Sequence, residues 1–455
     1  MKVAKFGGTS LASAEQIRKV AAIIQSDRER RVIVVSAPGK RNKEDTKVTD
    51  LLIRYAEATL KFSTEAAGYH EQIIRRFQQI ARELPLSPSV TDALLTELHE
   101  DLLSHQGEEP CRYLDRIKAI GEDTCAKLVA HYLCSLGENA CYVNPREAGL
   151  LVSDEAGNAR VLPAAYEQLR RLRGQQGILV FPGFFGYTPE GVLVTFSRGG
   201  SDITGSILAA ALQASLYENF TDVDSVYVVN PQLIERPKAI KVLTYREMRE
   251  LSYSGFSVFH EEALLPAYEA GIPVCIKNTN NPDCPGTMIV SERENHDNRV
   301  TGIASDKGFC SIYVSKYLMN REIGFGRRLL QILEEEGLSY EHTPSGIDNI
   351  SVILRQKDFP PHVQERVVER IRRELQAEDV VVEGNLALVM IVGEGMRQTV
   401  GTSARATTAL ARAGVNLEMI NQGSSEVSMM FGVKEEAADR AVIALYHEFF
   451  SDENP

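Results

Sequence analysis

A layered α/β sandwich followed by a duplicated α+β unit is the architecture expected of this chain of 455 residues. Strand-like and helix-like patterns alternate from residue 1 to about 295, as in such sandwiches. The first strand runs into a double-glycine turn and then a helix. Beyond about residue 300 the sequence repeats itself at a fixed offset.

In chain order, Val3-Ala4-Lys5-Phe6 reads as the first strand. Ser13-Ala14-Glu15-Gln16 reads as a capping box, opening a helix whose Ile17, Val20, Ala21 and Ile24 recur at the spacing of a buried face. Arg31–Ser36, Ala140–Asn144, Gly177–Pro182 and Pro273–Lys277 read as buried strands, and residues 47–136 as mostly helical. Thr195-Phe196-Ser197 ends a strand and opens a helix over Ile203–Ala214. Asn278–Pro282 and Cys284-Pro285-Gly286 carry turn chemistry, and a polar stretch from Glu292 to Asn298 marks the expected end of the first domain.

Gly7-Gly8-Thr9-Ser10 forms the first strand-to-helix turn. Adjacent glycines let backbone N–H groups approach an anion, and the helix N-terminus adds positive potential. Lys5 adds a full charge, so the turn reads as a phosphate cradle without the Walker A spacing. A net charge of −12 argues against nucleic acid and anionic membranes as partners, and anionic substrates must be captured by local cations. Seven scattered cysteines, with no Cys-x-x-Cys pair, suggest neither zinc nor a disulfide framework. The four between 111 and 141 read as buried thiols in helical sequence. No apolar run reaches the length of a membrane span, and functional sequence begins at residue 2, so a cytoplasmic protein is expected.

The repeat pairs Gly324 with Gly401, Arg328 with Arg405, Leu333 with Leu410 and Gly337 with Gly414. The same offset of 77 residues pairs Glu341 with Glu418, Gly346 with Gly423 and Ser351 with Ser428. Each copy reads strand, glycine turn, helix, glycine, strand, glycine turn, strand. In the first copy these are Cys310–Val314, a helix near Arg327–Glu336, then Leu338–His342 and Ile350–Leu354.

The Lys5-Phe6-Gly7-Gly8-Thr9-Ser10 run resembles the N-terminal signature of the aspartokinases, in the amino-acid kinase superfamily. Later motifs fall in that family's order across essentially the whole chain, and the repeats resemble paired ACT domains. The resemblance implies a three-layer αβα kinase domain over 1–296 and two α+β (βαββαβ) ACT domains over 300–380 and 384–455. It implies transfer of phosphate from ATP, with Mg²⁺, to the β-carboxylate of L-aspartate, and feedback control by an amino acid such as lysine or threonine. It also implies a homo-oligomer, at least a dimer through the ACT domains.

Residue roles carried by the resemblance are specific. Lys5, Gly7, Gly8 and Thr9 would face the ATP phosphates, and Thr221, Asp222 and Tyr227 the adenosine. Arg198 and Ser201 would hold the α-carboxylate of aspartate, Glu122 its ammonium, and Ser36 and Thr49 would touch the same substrate. Asp202 would orient Lys5 and the metal-bound phosphates, with no protein side chain assigned as a direct metal ligand. Met319, Gly324, Phe325 and Asp348 would face the effector. Ser201 and Asp202 are also explained as simple helix caps, Glu122 as compensation of a helix dipole, and Phe325 and Asp348 as core and solvated loop. The Pro38–Lys43 loop reads as mobile, basic and solvated.

The chain departs from the usual pattern at Asn230-Pro231-Gln232, commonly Asp-Pro-Arg, and at Ser257, commonly Lys. Lys277 is a candidate replacement. Two rival readings stay open: a kinase for a glutamate-type substrate, and an amino-acid sensor whose kinase site has decayed.

Overall fold

The computed structural model describes residues 1–104, 107–197, 199–256, 261–293, 300–423 and 427–451. They form two compact units. The first contains Met1–Val226, Ala239–Tyr245 and the stretch ending at Arg293; the second contains Tyr227–Lys238, Arg246–Phe256 and the residues from 300 on.

An eight-stranded sheet organises the first unit. Its strands run in the order Ala140–Tyr142, Ile178–Pro182, Arg30–Val35, Lys2–Phe6, Leu216–Thr221, Val274–Asn278, Thr287–Val290 and Val242–Thr244. The pairings are parallel except that of Val274–Asn278 with Thr287–Val290. Parallel strands must be covered on both faces, and they are. Phe6, Ile33, Val35 and Phe220 share one core with the helices Ala14–Ser26, Val48–Leu60, Glu65–Glu83 and Pro110–Ser135. The helix Gly200–Leu212 covers the other face, its Asp202 carbonyl accepting from the Tyr217 hydroxyl at 3.1 Å. This is the three-layer αβα arrangement expected. Residues 48–103 are helical, as expected, apart from short connections, and Pro110–Ser135 continues the pattern.

The capping box is half formed. Gln16 N–H donates to Ser13 Oγ at 3.3 Å, but the Gln16 side chain donates to Asn280 Oδ1. The cysteines correct the sequence reading, because only Cys125 of the four is buried; Cys111, Cys134 and Cys141 are exposed. The amphipathic pattern of Pro110–Ser135 puts Cys111 and Cys134 on its outer side, and Cys141 lies on an edge strand.

The second unit is built on a five-stranded antiparallel sheet, in the order Asn349–Arg355, Gly302–Ser315, Asp379–Val392, Ser428–Lys434 and Met419–Gln422. Gly302–Ser315 serves both repeats. Its first half pairs with Leu386–Val392, and its second half lies between Asn349–Arg355 and the start of Asp379–Val392. Ile312, Val314, Phe325, Leu329, Val352, Val367 and Ile371 form the core under the helices Phe325–Glu335 and Pro361–Leu375. The repeat survives in the backbone: Gly324 and Gly401 both cap helices with φ of 81° and 93°, and Gly337 and Gly414 end them at 69° and 66°. The expected strand Leu338–His342 shrinks to one bridge between His342 and Ile353.

Candidate active site

Lys5 is the penultimate residue of its strand and is in register with Asn219 on the neighbouring strand. In-register residues of adjacent strands share a face. Phe6 and Phe220 therefore stack on one side, ring centroids 4.8 Å apart, and Lys5 and Asn219 point to the other. There Lys5 Nζ lies 2.5 Å from Asp202 Oδ1, and Asn219 Nδ2 donates to the same oxygen at 2.6 Å. The pair is buried at the lysine and only partly open at the aspartate, where a charge-assisted contact is worth more than at a surface.

That geometry removes the bland reading of Asp202. Its helix begins after Gly199 in the left-handed region, φ 78°, and no side chain caps it. The carboxylate faces the sheet, and the backbone N–H groups of the first turn have no side-chain cap. Ser201, in that turn, is buried against Gly183. Arg198 lies outside the described residues.

The double-glycine turn is crowded for a physical reason. Gly39 N–H donates to Gly8 O at 2.8 Å, and a Cβ on Gly39 would stand 2.5 Å from Gly8 C. Only glycines allow two backbones to approach so closely. A Cβ on Gly7 would meet Lys5 Nζ at 3.5 Å, so the turn and the ammonium border one space. Thr9 is exposed in the following short helix Gly8–Leu11. Ser36 follows the second strand, with its N–H on Phe6 O, and Thr49 sits in the first turn of Val48–Leu60, which also lacks a side-chain cap.

Glu122 is buried on Pro110–Ser135. The glycine before it lets the helix approach, because a Cβ on Gly121 would stand 2.8 Å from Ala37 Cβ. Burial pushes the Glu122 carboxyl up to about 8, opposed by the backbone N–H of Ala37 and by the charges of Lys118 and Lys5. Its Oε2 has no hydrogen-bond partner among the described residues. A buried carboxyl with an open oxygen is not compensating a helix dipole in solvent; one of its acceptor sites is unused among the described residues.

Thr221 ends the strand that carries Asn219 and Asp222 follows it, with Thr221 Oγ1 donating to Asp222 Oδ1 at 3.2 Å. Tyr227 groups with the second unit. The Ser257 position lies outside the described residues. Lys277 is in register with Phe220, on the face opposite the Lys5 row.

In the second unit Met319 and Phe325 are buried in the core, while Gly324 stands open at the start of its helix. Asp348 is not simply a solvated charge: its Oδ1 accepts from the backbone N–H of Leu318 at 2.9 Å, and Leu318 holds φ of 61°.

Three features escaped the sequence reading. Asn219 sits in the strand Leu216–Thr221 beside Glu218, and only its register with Lys5 gives it a role. Asp115 is 1% exposed and accepts from Gly157 N–H, Thr195 N–H and Thr195 Oγ1, with Lys118 Nζ at 2.7 Å. It ties the Glu122 helix to the strand Leu193–Thr195, and nothing local in sequence announces it. Third, Pro38–Lys43 is not free: although Lys40–Lys43 are exposed, the loop is clamped at its first two residues, by the Gly39–Gly8 bond and by Val48 N–H on Pro38 O.

A sequence model described as the amino acid kinase family matches residues 1–278, and one described as an ACT domain matches residues 389–449. Aspartokinase 3 of Bacillus subtilis is 60% identical over 451 residues, 99% of each chain. The chain belongs to the aspartokinases. Aspartokinase 1 of Arabidopsis thaliana chloroplasts is 30% identical, over 98% of this chain and 80% of that one. Among solved structures, Clostridium acetobutylicum aspartate kinase superimposes with a TM-score of 0.87 at 36% identity, covering 99% of this chain and all of that one. Escherichia coli aspartokinase III, solved with aspartate and ADP, gives 0.77 at 25% identity with the same coverage. The aspartokinase fold thus extends over both units.

Proposed function

We propose that the Lys5–Asp202 constellation is the phosphoryl-transfer centre of this aspartokinase, which phosphorylates the β-carboxylate of L-aspartate with ATP. The observation that carries it is the 2.5 Å pair beside a crowded double-glycine turn. Such transfer is catalysed by positioning and by charge on the phosphate oxygens. Lys5 and the N–H groups of Gly8 and Thr9 would supply that charge, Gly7 serving the turn with its own N–H on Phe220 O, and Asp202 with Asn219 would fix the ammonium. Thr221, Asp222 and Tyr227 would face the adenosine. The β-carboxylate is itself the nucleophile and is ionised at neutral pH, so no general base is needed.

Aspartate would be held by groups converging from four elements. Ser36 follows the second strand, Thr49 opens an uncapped helix and Ser201 opens another; Arg198, three residues earlier in sequence, would clamp the α-carboxylate. Glu122 would take the ammonium, which suits its open buried oxygen. An ATP-using kinase implies a divalent metal, and Mg²⁺ is the proposed ion. Among the described residues no group of three or more His, Cys, Asp or Glu side chains is arranged to hold one. Such a hard cation keeps several waters and takes phosphate oxygens, and Asp202 is the carboxylate beside Lys5. When bound, the ion neutralises phosphate charge.

Control is proposed at the ACT repeats, with lysine or threonine as effector and at least a dimer formed through them. Gly324 and Asp348 offer open backbone donors and a carboxylate for a zwitterion, with Met319 and Phe325 as the apolar floor. No helix among the described residues is long and apolar enough to cross a membrane; a cytoplasmic enzyme is proposed. Hydroxamate formation from aspartate, ATP and hydroxylamine tests the activity and separates it from both rivals. A glutamate-type kinase would turn over glutamate instead, and a decayed sensor would form no hydroxamate. Retention of the Lys5–Asp202 pair favours the active enzyme.

A further inference from the structure

One buried cation closes the loop that presses on the phosphate turn. Arg76, on the helix Glu65–Glu83, is 5% exposed. Its Nη2 donates to Gly39 O at 2.9 Å, to Asp45 Oδ2 at 2.6 Å and to Thr46 O at 3.3 Å. Asp45 also accepts from the Arg41 backbone and guanidinium, at 2.9 to 3.0 Å. Both ends of the loop therefore meet at a single guanidinium. Gly39 is held from two sides: its carbonyl by Arg76, and its N–H by Gly8 O.

We propose that Arg76 is a positioning residue for phosphoryl transfer, fixing Gly39 against Gly8 and so setting the place of the glycine turn over the transferring phosphate. This rests on the phosphate role proposed above for that turn. Stability alone does not explain an arginine here. Its Nε and Nη1 are buried with no hydrogen-bond partner among the described residues, and a well-packed apolar side chain would avoid that desolvation. The bonds it does make all go to the loop. Small displacements of a catalytic cradle cost large factors in rate, so a cation that fixes one backbone contact has a functional consequence out of proportion to its distance from substrate.

Four full-length variants test this: Arg76→Met, Arg76→Lys, Gly39→Ala and Arg76→Met/Gly39→Ala. Arg76→Met should lower kcat at least tenfold in protein that still unfolds cooperatively, and Arg76→Lys should recover part of the loss. Gly39→Ala should lower kcat similarly. The double variant should lose no more than the worse single variant, because both changes act through one contact. Arg76→Met with kcat within twofold of wild type would overturn the proposal, as would losses that multiply in the double variant. If Arg76→Met does not fold, Arg76→Lys and Gly39→Ala carry the test, and wild-type kcat in both would overturn it. Lys5→Ala separates the two layers of argument: if it retains kcat the phosphate role of the turn fails, whereas an inactive Lys5→Ala beside an unaffected Arg76→Met rejects only the positioning role.

Discussion

Glu122 should make aspartate capture depend on pH in a way that one substitution abolishes. Its carboxyl is pushed up to about 8 by burial, so roughly one free enzyme in ten carries the carboxylate at pH 7, and roughly one in a hundred at pH 6. An ammonium group pairs with the ionised form. The kcat/KM for aspartate, which reports the free enzyme, should therefore rise about tenfold per pH unit from 6 and level off above about 8. Glu122→Gln keeps the shape and removes the titration. A hydrogen bond to a charged group contributes about 1.5–3 kcal/mol, so above pH 8.5 the variant should fall about 10- to 100-fold below wild type. That deficit should shrink about tenfold for each pH unit below 8, bringing the two enzymes close together at pH 6. The assay is ADP release at saturating ATP across pH 6–9. A constant ratio of wild type to variant across that range refutes the reasoning. Stability supplies a second reading with a fixed sign. The folded-state value lies above the ordinary 4.5, so the folded chain holds the proton between there and about 8, and stability is lost as pH rises through that window. Without substrate, wild-type Tm should fall relative to Glu122→Gln between pH 6 and 8.5.

Three further outcomes are expected. Lys5→Ala should remove turnover by about 3 kcal/mol or more of transition-state stabilisation, while circular dichroism stays that of the folded chain; near-normal kcat would sink the assignment. Arg198→Ala should chiefly raise the KM for aspartate, since a carboxylate clamp acts in ground and transition states alike; a rise in the KM for ATP instead would exchange the two subsites. Asp348→Ala should weaken feedback inhibition by roughly tenfold at normal uninhibited kcat, now for two reasons, because the carboxylate also holds the Leu318 N–H. Unchanged inhibition curves for lysine, threonine and methionine would take the effector away from this loop.

What was legible in sequence was what is local. The Lys5–Ser10 turn, the helix periodicity at Ile17–Ile24 and the paired glycines of the repeat depend on neighbours within a few residues, and all appear in the structure. Asn219 was not legible because its meaning depends on strand register: it matters only when Leu216–Thr221 lies beside Lys2–Phe6. Asp115 and Arg76 were missed for the same reason, since their partners lie 30 to 80 positions away. The clamped loop was misread because exposed lysines at its tip say nothing about the carbonyls at its root. Asp202 shows the converse. Its residues alone allow a simple helix cap; the family resemblance implies a partner for Lys5, and the fold shows that contact at 2.5 Å.

The site also resolves how a chain of net charge −12 can take two anionic substrates. The first four strands to reach it are parallel, so their carboxyl ends share one edge, the usual location for ligands in α/β sheets. Phe6, Val35, Pro182 and Thr221 end those strands, and the glycine turn, Ser36, Gly183 with Ser201, and Asp222 follow them. Positive potential is concentrated there by two uncapped helix starts and by Lys5, while two of the nearby carboxyls are paired or neutral. Asp202 is bound to Lys5 and Asn219, and Glu122 holds its proton below about pH 8. Most of the surplus negative charge is therefore elsewhere, where solvent and salt screen it beyond about 10 Å. If Glu122 takes the substrate ammonium as proposed, its neutrality before binding would spare the carboxylates of aspartate repulsion, and the charge would appear with its partner. The same desolvation that lowers apo stability at high pH would thus make the pocket receptive to an amino acid with two carboxylates and one ammonium.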